Sequence, residues 1–205
     1  MKKDIILKPT KPNAGIEAVY RERLLKFLEV MHRSLAFHIL RAYKQRPPEM
    51  ASDESPTLFA YAVMRRLSSK WLKKLDEFAA GLALYQAKKA LKHSDASLSA
   101  ALSAESFGVE FQMTRAMNDV FQSSVKANVS LIKSIGSEHF QKVEELVMRS
   151  VSDGRDLFTL AEELHKRYNI SKSRARMIAH DQNNKMTARF VKVRQEELGL
   201  SLIHI

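Results

Sequence analysis

Apolar side chains return at three- and four-residue steps along most of the chain, the period of a helix with one buried face. Tyr20, Leu24, Phe27, Leu28, Met31, Leu35, Ile39, Ala42 and Tyr43 make the first stripe. Asn13 is placed to cap that helix and Pro47-Pro48 to end it. A second helix is expected from Ser55 as cap and Pro56 at the first helical position, where a missing N–H is no loss. Its stripe is Val63, Leu67, Trp71, Leu75, Phe78, Leu82 and Tyr85. Gly81 within it costs about 1 kcal/mol of helix propensity relative to alanine and marks a close contact or a kink. Two long helices joined by a short Pro-containing loop read as an antiparallel hairpin.

The pattern weakens from His93 to Ser106, and Phe107 to Met113 alternates enough to suggest a short strand. Beyond it, Thr114 can cap a helix carrying Met117, Val120, Phe121, Val125, Val129 and Ile132 that closes at Gly136. Another comes next with Phe140, Val143, Val147 and Val151, ending near Asp153-Gly154. Thr159 and Glu162 have capping-box spacing for a short helix, about Leu160 to Tyr168. Asn169-Ile170-Ser171 then reads as a loop before a long basic helix that runs into Gly199. The expected fold is all-α: a long N-terminal antiparallel helical hairpin, then a smaller helical unit ending in a long basic helix. The boundaries are an extended Pro-containing arm over 1–13, a hairpin domain over 14–94, a linker over 95–113 and a C-terminal helical unit over 114–205.

Composition supports this picture and narrows the chemistry. No proline occurs after Pro56, so little interrupts a helix beyond that point. The absence of cysteine excludes disulfides, thiolate metal sites and cysteine nucleophiles, and fits a reducing cytosol. No run approaches the roughly 18 apolar residues of a membrane span, and Ile5-Ile6-Leu7 is too short for a signal-peptide core.

Charge changes the picture most. The net charge is +11, and Lys166 to Arg194 holds nine Lys/Arg against the single acid Asp181. Three readings of this helix stand together. It can be a solvated face over buried Ala175, Ile178, Met186, Phe190 and Val193. Lys172, Arg174, Arg176, Lys185, Arg189, Lys192 and Arg194 can contact phosphates with salt-dependent, sequence-independent affinity. The same cations can meet acidic patches on a protein partner. Not all seven fit one face of a helix. Leu160–Tyr168, a turn and Ser173 onward also have the outline of a helix-turn-helix, with Arg174 and Arg176 as the base-reading residues.

Asp181, Gln182 and Asn183 form a polar centre suited to a buried network or a helix–helix contact, and Asp181 precedes Lys185 by the four residues of an ion pair. Enzyme signatures are lacking. The seven histidines include no HExxH and no i,i+4 pair, and no G-x-G-x-x-G, Walker A or G-x-S-x-G occurs. No catalytic residue, metal site, cofactor or small-molecule substrate is expected. Met31, Met64, Met186 and Trp71 read as packing residues.

From Ser137 through Leu200 the chain resembles the phage Mu F-like minor head proteins, also called phage head morphogenesis proteins. The resemblance rests on VEELVMRSVSDGRDLFTLAEELHKRYNISKSRARMIAHDQNNK and then VRQEELGL, with ILKPTKPNAGIEAVYRERL similar to the family's N-terminal part. Its most specific features are Ala179-His180-Asp181-Gln182 and Arg194-Gln195-Glu196-Glu197-Leu198-Gly199. His180 stands where the family commonly has arginine. Family members continue past the Leu-Gly-Leu region into a further domain with Trp, Arg, His and Cys positions. The resemblance therefore implies a chain with the helical part and without that domain. It also implies a non-enzymatic role in head assembly beside the portal vertex, in the virion and in the host cytoplasm during assembly. Portal or capsid proteins are the implied partners, with non-specific contact to double-stranded DNA. A small prophage DNA-binding protein using residues 160–194 is the alternative.

Overall fold

The computed structural model describes residues 7–45, 56–154 and 157–200. The protein is all-α, and no strand occurs among the described residues. Its helices are α1 (Ala14–Gln45), α2 (Pro56–Ala104), α3 (Arg115–Ser152) and α4 (Leu157–Glu197). Pro47-Pro48 and the expected Ser55 cap lie outside the described residues.

The caps explain where several of these helices begin and stop. Asn13 Oδ1 accepts from the backbone N–H groups of Gly15 at 2.9 Å and Ile16 at 3.1 Å, two donors that a helix start leaves unpaired. Thr114 Oγ1 does the same for Met117 at 3.1 Å. Ser106, at φ 69°, ends α2: Phe107 N donates to Leu102 O and Ser106 N to Ser103 O. Gly199, at φ 65°, ends α4 with the same pair of bonds, Leu200 to Gln195 and Gly199 to Glu196. Both are Schellman closures.

The expected interruptions are shorter than the pattern suggested or are not breaks at all. The linker over 95–113 is helical as far as Ala104, because Ser94, Leu98 and Leu102 extend the buried stripe through the serine-rich segment. Residues 107–113 form no strand. Ser99 Oγ donates to the Val109 carbonyl at 3.2 Å and Arg194 Nη1 to the Gln112 carbonyl at 2.8 Å, so side chains rather than a partner strand meet two of its carbonyls. Gly136 does not close a helix, since α3 runs through it. It is needed for packing: a Cβ there would fall onto Leu75 Cδ2. Gly81 is the converse case, exposed with nothing near a Cβ, and α2 continues past it.

The Asn169-Ile170-Ser171 loop is also helical. Thr159, expected as a cap, lies inside α4, and Ser171 is buried with its hydroxyl 3.0 Å from His139 Nδ1. With neither glycine nor proline between Leu157 and Glu197, nothing forces a turn. The helix-turn-helix reading fails on this point, because α4 is continuous where the turn should be.

The chain divides into two compact units that are not sequential. The first comprises residues 1–20, 80–129 and 178–205, and the second residues 21–79 and 130–177. Each takes a segment from all four helices, instead of the division between 94 and 114 that composition suggested.

In the first unit Ala87, Ala90 and Leu91 of α2 pack with Met117 and Phe121 of α3 and with Met186, Phe190 and Val193 of α4. The Phe121 and Phe190 rings lie 6.2 Å apart. The second unit buries Leu24, Leu28, Met31, Leu35 and Ile39 of α1 together with Met64, Trp71 and Leu75 of α2. Phe27 stacks on Phe78 at 4.2 Å and meets Trp71 edge-on at 5.9 Å, while Trp71 Nε1 donates to Ser34 Oγ at 3.2 Å. The paired positions descend along α2 as they rise along α1, the order of antiparallel neighbours.

Candidate functional site

The helical period divides the cations of α4 by what lies beneath them. Ala175, Ile178, Ala179, Gln182, Asn183, Met186, Thr187, Phe190 and Val193 are buried, so the lysines and arginines between them face outward. Each of the seven proposed binding residues has its own place.

Arg194 is not on the surface. Its side chain is 2% exposed, with Nε and Nη2 donating to the two Asp95 oxygens at 2.8 and 3.1 Å. Nη1 donates to Glu197 at 2.9 Å and to the Gln112 carbonyl at 2.8 Å, and the guanidinium lies 4.9 Å from the Phe111 ring centre. A planar five-donor group is the side chain that can satisfy a fork of this kind. Arg194 ties α2, the segment before α3 and the end of α4 together, and its expected role as a partner contact is corrected to a structural one. The preceding stripe position, Val193, gave no hint that the residue after it would bury a charge.

Arg174, in the second unit, pairs with Glu138 of α3 and donates to Ser134 Oγ at 3.2 Å. Glu138 also receives Arg167 at 3.0 Å. Lys185 pairs with Asp181 at 2.8 Å, the i,i+4 bridge the spacing predicts, and Lys192 reaches Glu196 at 3.8 Å. Both pairs are exposed, and such pairs contribute at most about 1 kcal/mol each. Lys172, Arg176 and Arg189 have no acidic partner among the described residues. The Lys172 ammonium lies 5.9 Å from the Tyr168 ring centre.

Tyr168 belongs to an arrangement that periodicity and motifs did not reveal. Its ring stacks on His32 at 4.5 Å, and His32 meets His139 edge-on at 5.7 Å. Burial pushes the His32 imidazole down to about 4, with His165 adding to the effect. Burial pushes His139 down to about 3, with repulsion from His32 and Arg167 adding to it. Both rings are neutral at pH 7. His32 lines an open groove of about 650 Å³ between α1 and α4, bordered by Lys26, Arg33, Lys172 and Arg176 and by the acids Glu22 and Glu29. The signal was present in sequence: His139 occupies a stripe position between Ile135 and Val143.

The polar centre of α4 is part of a buried layer in the first unit. Gln86 Nε2 donates to Asn183 Oδ1 at 3.1 Å, Asn183 Nδ2 donates to the Asn13 carbonyl at 3.2 Å, and Thr187 Oγ1 donates to the Asn183 carbonyl at 2.9 Å. Tyr20 donates to Asn128 Oδ1 at 2.7 Å. Burial raises the Tyr20 phenol well above its usual range, the bond to Asn128 opposing, so it stays a donor. Gln182 Nε2 bonds Asp181 Oδ2 at 3.1 Å. Gln86 Oε1 and Asn128 Nδ2 are buried without a hydrogen-bond partner among the described residues. Among the described residues no group of three or more His, Asp or Glu is placed to hold a metal, and no helix is long and apolar enough to cross a membrane.

Among known proteins, the chain is similar to a protein of Haemophilus influenzae described only as uncharacterized, with 26% identity over 200 residues. The match covers 94% of this chain and 44% of that protein, so the chain spans less than half the relative's length. No family model matches the chain, and no solved structure matches it.

Proposed function

We infer that the chain is a structural, non-enzymatic protein of phage head assembly that works beside the portal. The outward cations of α4 would seat against an acidic protein surface or against duplex DNA. The resemblance of residues 137–200 and of the N-terminal segment to the Mu F-like minor head proteins supports the assembly role. The observation that carries the binding role is the sorting of charge on α4. Arg194 is consumed internally, whereas Lys172, Arg176 and Arg189 have no acidic partner among the described residues. The exposed Lys185–Asp181 and Lys192–Glu196 pairs are weak enough to exchange for a partner's carboxylate or phosphate.

The test is co-purification of the wild type and of K172E/R176E/R189E with portal and capsid subunits from the same gene cluster. The wild type should retain portal subunits through a wash at 150 mM salt, and the charge-reversed protein should lose them. Recovery of duplex DNA in place of either subunit would favour the alternative, a prophage DNA-binding protein acting through residues 160–194.

A further inference from the structure

A second concentration of positive charge is built from α1 and α2 residues. From Ser34 to Gln45, α1 carries Arg41 and Lys44, and from Pro56 to Leu75, α2 carries five Lys/Arg, with no Asp or Glu in either stretch. Within the second unit these two stretches enclose a groove of about 320 Å³. Its described lining includes His38 and Arg41 from α1, Arg66 and Lys70 from α2, and an apolar floor with Val63 and Leu67. Arg41, Arg66 and Lys70 are exposed, and none has an ion-pair partner among the described residues.

Charge of one sign gathered in a concavity focuses the field and draws anions. The spacing says more about which anion. Arg66 and Lys70 are four residues apart, about 6 Å along α2 at 1.5 Å per residue, and Arg41 stands across the trough on α1. Cations on both walls of one trough match a continuous line of charge. Acidic protein surfaces offer discrete carboxylates mixed with cations, and a complementary face then carries both signs. These stretches carry one sign only. Guanidinium groups also pair with phosphate through two parallel hydrogen bonds, which favours a phosphodiester over an isolated carboxylate.

We propose that the α1–α2 groove is a seat for the phosphate backbone of duplex DNA. The seat is separate from the α4 surface and does not depend on a portal partner. Binding is independent of sequence and driven by counterion release.

The test is fluorescence anisotropy with a labelled 24-base-pair duplex of mixed sequence between 50 and 200 mM NaCl. R41A/R66A/K70A should bind about 10- to 100-fold more weakly at 50 mM. Its slope of log affinity against log salt should be shallower by about 0.9 for each phosphate no longer neutralised. R41K/R66K keeps the charge and should keep the slope, and far-UV circular dichroism should show wild-type helix content for both. Unchanged affinity and slope in the triple variant would overturn the proposal. So would a loss confined to K172A/R176A/R189A, which would assign the duplex to α4. Labelled polyglutamate bound as tightly as the duplex and released by the same variant would make the groove an acidic-protein seat. Complete displacement of the duplex by 10 mM inorganic phosphate at constant ionic strength would make it a site for a single small anion. Either result contradicts a backbone seat.

Discussion

The two compact units use similar helices to build different interiors. The second unit relies on large rings and branched aliphatics, with Phe27 against both Trp71 and Phe78 and Leu75 pressed against Gly136. The first unit has fewer large apolar groups and lines α2 with alanines. Its interior also holds Gln86, Asn128, Asn183, Tyr20 and an Arg194 held by four hydrogen bonds. Apolar packing is non-directional and roughly proportional to area, so it stabilises without choosing one register. Buried amides make a displaced helix costly, because every shifted donor or acceptor is left unpaired. In the second unit shape supplies affinity between helices, and in the first hydrogen bonding supplies selectivity.

The contrast can be broken most severely at Trp71. Trp71→Ala removes the largest ring of the second unit and its bond to Ser34, and should lower unfolding free energy by about 3–5 kcal/mol in urea titration. Gly136→Ala tests the close approach of α3 to α2. Overpacking against Leu75 should cost about 1–3 kcal/mol, and Gly81→Ala, at an open position, should be neutral or stabilising. In the first unit Asn183→Leu strands Gln86 and the Asn13 carbonyl, for a loss of about 1–3 kcal/mol. Adding Gln86→Leu should recover part of that loss, because two apolar groups need no partner. A strictly additive double variant would show that the amide pair is not coupled.

The buried histidines sharpen the contrast through pH. His32 and His139 are held below their ordinary value of 6.5, so the folded state favours the neutral rings. Their contribution is fully present above about pH 6.5. It is lost as pH falls towards 4 and 3, since the unfolded chain takes up those protons first. The slope approaches ~1.4 kcal/mol per pH unit for each proton. Urea midpoints between pH 7 and pH 4.5 should fall for the wild type and fall less for His139→Asn. The smallest effect belongs to the surface of α4: K172A/R176A/R189A should change stability by no more than about 0.5 kcal/mol while weakening partner binding.

The all-α class, the Asn13 and Thr114 caps, the Gly199 closure and the core roles of Met31, Met64, Met186 and Trp71 were legible from periodicity and cap chemistry. Helix lengths were less so. Gly136 and the serine-rich segment after His93 look like punctuation in isolation, and tertiary packing overrides both. The polar layer was half legible. Asn183 stands out on α4, but its partner Gln86 is an ordinary-looking residue on another helix 97 positions away. The α1–α2 cations escaped notice because they are divided between two helices and meet only in three dimensions. Arg194 was misjudged for a related reason: composition counts a charge and does not say whether Asp95, 99 residues earlier, lies against it.

The most direct test of the division of labour on α4 is the unfolding free energy of Arg194→Leu beside Arg189→Leu. The two changes remove the same charge from one helix, five residues apart. Arg194→Leu should lose about 3 kcal/mol, by stranding Asp95 and Glu197, and Arg189→Leu should stay within about 0.5 kcal/mol of wild type. Equal losses would mean that Arg194 is not built into the interior, and the separation of inward from outward cations would fail.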